Sequence, residues 1–160
     1  MANTPKRCSR CQGALALAVL EPFSGEDSGV RMSVEGLPAL ACSEGHRRFL
    51  APDFPNHLMN ALLAGEPLVP APAAAQKGLL RKRLHCASCG ASLEAQPAGE
   101  AEAVRVLEIK GSSPFGVRVE APKFRCAACG KESALPERAL LDALLKASVN
   151  GFRAARIDPN

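Results

Sequence analysis

Seven cysteines in a chain of 160 residues form three Cys-x-x-Cys pairs, Cys8/Cys11, Cys86/Cys89 and Cys126/Cys129, with Cys42 left over and His46 four positions after it. Random placement would give about 0.3 such pairs, so the spacing has a physical cause. Two thiolates at this spacing span one edge of a tetrahedron, and two such turns brought together close the coordination of a structural Zn²⁺. The expected sites are Cys8, Cys11, Cys42 and His46 for one ion, and Cys86, Cys89, Cys126 and Cys129 for a second. Gly90 and Gly130 directly follow a second cysteine and Gly13 comes two after Cys11, where a tight or left-handed backbone would curl around the sulfurs.

His46 stands where the other copy has Cys129. The longer ligand spacing suits the reach of an imidazole, and Gly45 relaxes the backbone before it. His57 or water are the alternative completions. His57 and His85 otherwise read as structural or solvated, because four thiolates already close the second site. An open first site would turn on failure of His46 to bind, with Glu44 the nearest base. The expectation is closed sites and no enzymatic activity. A dithiol redox centre sits at a helix N-terminus after a strand, whereas these pairs are flanked by turns and β-like segments. A thiol redox or zinc-responsive switch is kept as a second alternative.

These ligands belong to two copies of one unit. Cys8 and Cys11 map to Cys86 and Cys89 with a shift of 78, and Cys42 maps to Cys126 with a shift of 84. Residues 29–35 (GVRMSVE) match 116–120 (GVRVE), Pro38 and Pro122 follow, and Pro52 and Pro136 each precede a helical stretch containing Ala-Leu-Leu. The reading is α+β: two tandem zinc-ribbon β units, each followed by a helix. The boundaries are 1–64 for the first unit, 65–79 for a Pro/Ala-rich linker, 80–152 for the second unit and 153–160 for a tail. Val30, Met32 and Val34 alternate with polar residues, as do Val117 and Val119, which predicts half-buried strands. Residues 103–109 supply another strand, while 22–28 and 95–102 read as turns or loops. From Pro136 to Phe152, Leu140, Leu141, Leu144, Leu145, Val149 and Phe152 recur at helical spacing and predict a core-facing stripe.

Composition explains the need for metal. Without Trp or Tyr and with six Phe, each unit builds only a modest core, and domains of this size commonly recruit a staple. A structural Zn²⁺ supplies on the order of 10 kcal/mol of apparent folding free energy. No run approaches the roughly 20 apolar residues of a membrane span. The short apolar run Ala14–Leu20 after Lys6, Arg7 and Arg10 mimics a minimal signal peptide, but cleavage there would discard Cys8 and Cys11. With an odd cysteine count and ligand-like spacing, the expectation is a cytoplasmic metalloprotein with no membrane association.

The net charge is +4, and the basic excess lies in residues 77–160, with 14 cations against 9 anions. Lys77, Arg81, Lys82 and Arg83, with Lys123 and Arg125, are candidate phosphate contacts. A solvated basic strand is the simpler reading, since no aromatic residue interleaves with residues 77–85 to stack bases.

Cys8-Ser9-Arg10-Cys11, the segment VEGLPALAC (34–42) and RRFL (47–50) together resemble the YgiT-type zinc-finger domain of MqsA-like antitoxins. Cys86, Cys89, VRVEAPKFRC (117–126) and Cys129 are similar to it in plan. The resemblance covers residues 8–50 and 86–135. It implies a zinc-stabilised β-rich module that binds a protein partner, with the cysteines above as ligands. No helix-turn-helix follows, and Cys42-x-x-x-His46 departs from the family's second knuckle. A non-enzymatic interaction module is therefore expected, with a nucleic-acid-binding or transcription-related regulator as the alternative.

Overall fold

The computed structural model describes residues 6–108 and 112–158; the ends of the predicted 103–109 strand and 153–160 tail, and the first residues of the 1–64 unit, lie outside them. The first half carries β1 (Ala16–Val19), β2 (Phe23–Asp27), β3 (Val30–Glu35), β4 (Pro38–Ala41), β5 (Arg47–Arg48) and α1 (Phe54–Leu63). The second carries β6 (Ala75–Lys77), β7 (Arg83–His85), β8 (Gly99–Leu107), β9 (Phe115–Arg125), β10 (Glu132–Ala134), α2 (Glu137–Ala154) and β11 (Ile157–Asp158). The fold is small α+β with mixed sheets and two helices.

Alternation in the sequence becomes pairing in β3, where Val30, Met32 and Val34 are buried while Arg31 and Glu35 are exposed. Ser28 and Gly29, both at positive φ, turn β2 into β3 as a two-residue hairpin pairing Asp27 with Val30. Such turns need left-handed backbone at both central positions.

β3 then pairs antiparallel with β9, joining the halves. Arg31 faces Glu120 and Ser33 faces Arg118, about the central pair Met32 and Val119. Since Gly29-Val30-Arg31 corresponds to Gly116-Val117-Arg118, each position faces the counterpart of its partner's position. This reciprocity is that of a two-fold dimer interface, built here within one chain. Arg31 reinforces the seam through Glu26 at 2.8 Å and Glu120 at 3.7 Å.

The shared sheet runs β10-β9-β3-β2, with β8 on β9. Helix α2 packs on β2 and β3, and this contact depends on two glycines. A Cβ on Gly25 would lie 2.0 Å from the Ala147 carbonyl oxygen and 2.2 Å from the Gly151 nitrogen. One continuous core results, drawing Met32, Leu62, Val117, Leu144 and Phe152 from both halves. Phe49 and Phe152 meet edge to face at 4.9 Å within it.

Three secondary-structure expectations need correction. Residues 22–28 hold strand β2, because Gly25 fits beneath α2 and its neighbours pair with β3. Residues 95–102 are loop only up to Gly99, where β8 begins its pairing with β9. The helix stripe is shifted: Ala143, Leu144, Ala147, Ser148, Gly151 and Phe152 are buried, while Leu141, Leu145 and Val149 stay 36%, 42% and 52% exposed. Small residues share the inward face with Leu144 and Phe152 because β2 approaches the helix backbone closely at Ala147 and Gly151. Segment 65–79, expected as a linker, seats Leu68 and Val69 in the main core and ends in β6, which pairs with β7.

Candidate metal centres

Each centre begins with a turn that leaves backbone N–H groups pointing at sulfur. In the first knuckle the Cys8 N–H bonds the Gly13 carbonyl at 2.8 Å and the Gln12 N–H bonds the Cys8 carbonyl at 2.9 Å. The second copy repeats this at the same offset: Cys86 N–H to Ala91 carbonyl, 2.8 Å, and Gly90 N–H to Cys86 carbonyl, 3.0 Å. Cys126 does so again with Lys131 and Gly130, both at 2.8–2.9 Å. The residue after the second cysteine is left-handed in all three, with φ 61° at Gln12, 76° at Gly90 and 75° at Gly130. Gln12 is thus the one non-glycine in a glycine position. Gly13, read from sequence as a conformational glycine, serves space instead: a Cβ there would lie 3.3 Å from Cys11 Sγ.

Cys42 departs from this plan. Its N–H bonds the His46 carbonyl at 3.1 Å, and the Gly45 N–H, at φ 81°, bonds the Cys42 carbonyl at 3.0 Å. The turn is therefore one residue tighter although the ligand spacing is longer. The fourth ligand sits beyond the turn, where the chain enters β5.

The turns meet in two clusters, Cys8, Cys11, Cys42 and His46, and Cys86, Cys89, Cys126 and Cys129, whose ligand atoms lie within 4.8 Å of one another. Cys11 and Cys42 sulfurs are 3.6 Å apart, and His46 Nδ1 is 3.5 Å from both Cys8 Sγ and Cys42 Sγ. In the other cluster Cys86 to Cys129 is 3.7 Å and Cys89 to Cys126 is 3.5 Å. Thiolates about 2.3 Å from a tetrahedral ion lie ~3.7 Å apart, and a thiolate and an imidazole nitrogen ~3.5 Å apart. All seven cysteines are free thiols. Either cluster could hold a metal ion, and the donors suit one that prefers sulfur and imidazole.

The electrostatics prepare one thiolate in the first centre and two in the second. Backbone N–H groups of Cys11 and Arg10 draw Cys8 down to about 6, and those of Cys89 and Ser88 do the same to Cys86, again about 6. Cys126 is lowered chiefly by the Cys129 N–H. At Cys89 the Ala91 N–H pulls down, but the Cys126 thiol, burial and the other sulfurs outweigh it and push the group up to about 11. Cys11 also rises, because burial and the neighbouring Cys42 and Cys8 overcome the Gly13 N–H. Thiols this close cannot all ionise without a cation among them. An ion would release protons on binding.

The surroundings differ. Arg10, inside the first knuckle, reaches Asp158 at 2.6 Å, and β11 pairs parallel with β5 directly after His46. Arg47 Nη1 donates to the Ala155 carbonyl at 3.1 Å. The second cluster instead sits on a small core of its own, formed by Ala74, Leu93 and Phe124 with Cys86 and Cys126. Buried Ser133 accepts the Ala87 N–H at 3.3 Å and ties its two knuckles together. The reach of the first centre to Asp158 left no mark in the sequence.

Neither remaining histidine joins a cluster: His57 Nε2 pairs with Asp53 at 2.6 Å and His85 Nδ1 lies 3.1 Å from the Gly90 carbonyl oxygen. Glu44 is exposed on the Cys42 turn. Of the candidate phosphate contacts, Lys123 and Arg125 are brought to Glu132 at 3.5 and 3.4 Å. Lys77, Arg81, Lys82 and Arg83 are exposed on the β6–β7 hairpin. Among the described residues no helix is long and apolar enough to cross a membrane.

No known family model, curated protein or solved structure matches this chain.

Proposed function

We propose that this is a non-enzymatic zinc protein in which two structural ions hold a pair of ribbon-like units, each with its helix, as a docking module for a protein partner. The observation that carries the zinc reading is the pair of four-donor clusters at tetrahedral edge lengths, one of Cys₃His and one of Cys₄ composition. Zinc is the ion these donor sets favour in structural sites, where a closed shell leaves no position for substrate or water. Cysteines kept free for zinc suit a reducing compartment such as the cytoplasm.

Protein docking is favoured by the outer face of α2. Leu141, Leu145 and Val149 stand exposed one turn apart, beside a groove of about 410 Å³ lined by Phe49, Met59 and Phe152. Contiguous apolar surface of this kind marks interaction sites. The similarity in plan to YgiT-type domains, which accompany a protein partner, points the same way. The nucleic-acid alternative draws on fewer free cations than the sequence offered, since Glu132 already engages Lys123 and Arg125.

Thiol titration of the folded protein in the presence of a colorimetric zinc indicator is expected to release two zinc ions per chain. Release of none, or of a different metal, would refute the zinc reading. Leu145→Asp with Val149→Asp is expected to abolish partner capture while both ions are retained. Undiminished capture by that folded variant would remove α2 as the docking face. Binding that instead falls steeply with salt and follows the basic hairpin would favour nucleic acid.

A further inference from the structure

The β6–β7 hairpin stands apart from both larger sheets as a two-stranded unit. Its strands pair through Ala75 with His85, Gln76 with Leu84 and Lys77 with Arg83. The five residues between them end the hairpin on Leu79 and Leu80, whose relative exposures are 102% and 99%. No other large apolar side chain in the described residues is so bare. Folding cannot explain them, because neither touches a core.

The tip has built geometry. Gly78 has φ 119°, and a Cβ there would lie 2.1 Å from the Arg81 carbonyl oxygen, so the loop folds tightly back on itself around glycine. Its base is anchored as well. Ala74 N–H bonds the Ala134 carbonyl at 2.8 Å and Ala134 N–H the Pro72 carbonyl at 2.9 Å, and Leu84 packs against the small core of the second metal centre. Cys86 follows directly on β7.

Around the leucines stand Lys77, Arg81, Lys82 and Arg83, all exposed. Among the described residues none of the four has an ion-pair partner, and no acidic residue lies between positions 67 and 93. An apolar point ringed by cations is complementary to a surface that is anionic outside and apolar just beneath. A bilayer containing acidic phospholipids has that profile: cations settle at the phosphates while short apolar groups enter the acyl boundary. Nucleic acid would use the cations but offers nothing to two leucines without aromatic stacking partners. We propose that the β6–β7 hairpin docks the protein peripherally on anionic phospholipid surfaces, with Leu79 and Leu80 entering the interface. This departs from the sequence-based expectation of no membrane association and concerns a surface separate from α2 and from both metal clusters.

The absence of Trp and Tyr from the chain makes the test specific. In Leu80→Trp the single indole reports the tip alone. The full-length protein, its metal content confirmed in the same sample, would be mixed with vesicles of phosphatidylcholine alone and with vesicles carrying 30% phosphatidylserine, an addition of about one in three lipids. Cosedimentation and a blue shift of the indole are expected only with the anionic vesicles. Each cation near the surface is worth roughly fivefold in affinity, so Arg81→Glu should weaken binding by at least that factor. Leu79→Asp with Leu80→Asp should weaken it about tenfold or more, and as both positions are fully exposed, metal content should not change. Failure to sediment with anionic vesicles would overturn the proposal. So would binding undiminished by the double aspartate variant, or an indole that responds to duplex DNA and not to lipid.

Discussion

At the first metal centre, Arg10 of the opening knuckle grips Asp158 near the far end of the chain, and the turn bearing His46 leads within three residues to Phe49 in the main core. At the second, Cys89 and Cys129 lie exposed over a satellite core of five buried residues. The turns share one hydrogen-bond pattern except at Cys42, where the turn is one residue tighter, yet one centre is wired into the global fold and the other into a periphery. The same ligand-holding turn recurs at Cys8, Cys86 and Cys126. What an ion at each centre would stabilise depends on the chain packed behind it.

The largest test of this contrast is selective loss of metal. Cys42→Ala should release one ion and open β4, β5 and β11, with loss of hydrogen-exchange protection reaching the main core. Cys126→Ala should release the other ion and deprotect β6, β7 and β10 while Val30 to Val34 stay protected. Each loss forfeits several kcal/mol of metal-linked stability. Equal deprotection of the same amides in both variants would erase the distinction.

Next in size is the seam that lets two centres share one fold. Gly25→Ala forces a methyl group into the backbone of α2 and should cost about 3 kcal/mol, read by chemical denaturation. A change below about 0.5 kcal/mol would show that α2 does not rest on β2 as described.

Acid should strip both centres, since protons compete for the thiolates. In the metal-free protein, Cys8 and Cys86 have folded values near 6, below the ordinary thiol value of 9.0. Their contribution is therefore fully present above 9.0 and is lost as pH falls through about 6. Cys89, raised to about 11, works in the opposite sense: its contribution is present below 9.0 and lost as pH rises through about 11. A pH titration of denaturation midpoints after chelation should reveal destabilisation on the acid side. Stability that increases as pH falls from 9 to 6 would contradict this.

Smaller effects separate the knuckles themselves. Gln12→Gly should stabilise the first by about 1 kcal/mol by relieving left-handed backbone, whereas Gly90→Gln should destabilise the second by a similar amount. Arg10→Ala should cost about 0.5 kcal/mol, the scale of a partly exposed ion pair, and should speed metal exchange only at the first centre. Exchange rates altered equally at both centres would dissolve the comparison.

The clusters were legible in the sequence because their donors sit in short turns of fixed spacing, and His46 was legible by its place opposite Cys129. The repeat GVRMSVE and GVRVE was visible too, but not that the two copies pair with each other, since strand partners across 87 positions leave no local trace. Gly25 illustrates the same loss. In a run reading PFSGEDS it signals a turn, and only the close approach of Ala147 and Gly151 makes it a strand residue under a helix. In α2 Leu144 and Phe152 face inward as read, but Ala143, Ala147 and Gly151 share that face where β2 lies close, and Leu141, Leu145 and Val149 turn outward.

The account rests most directly on metal stoichiometry, measured by native mass spectrometry on the wild type and on His46→Ala. It predicts two zinc ions on the folded wild-type chain and one tightly held ion in the variant. A wild type carrying no zinc, or a variant that keeps both ions undiminished, would contradict it.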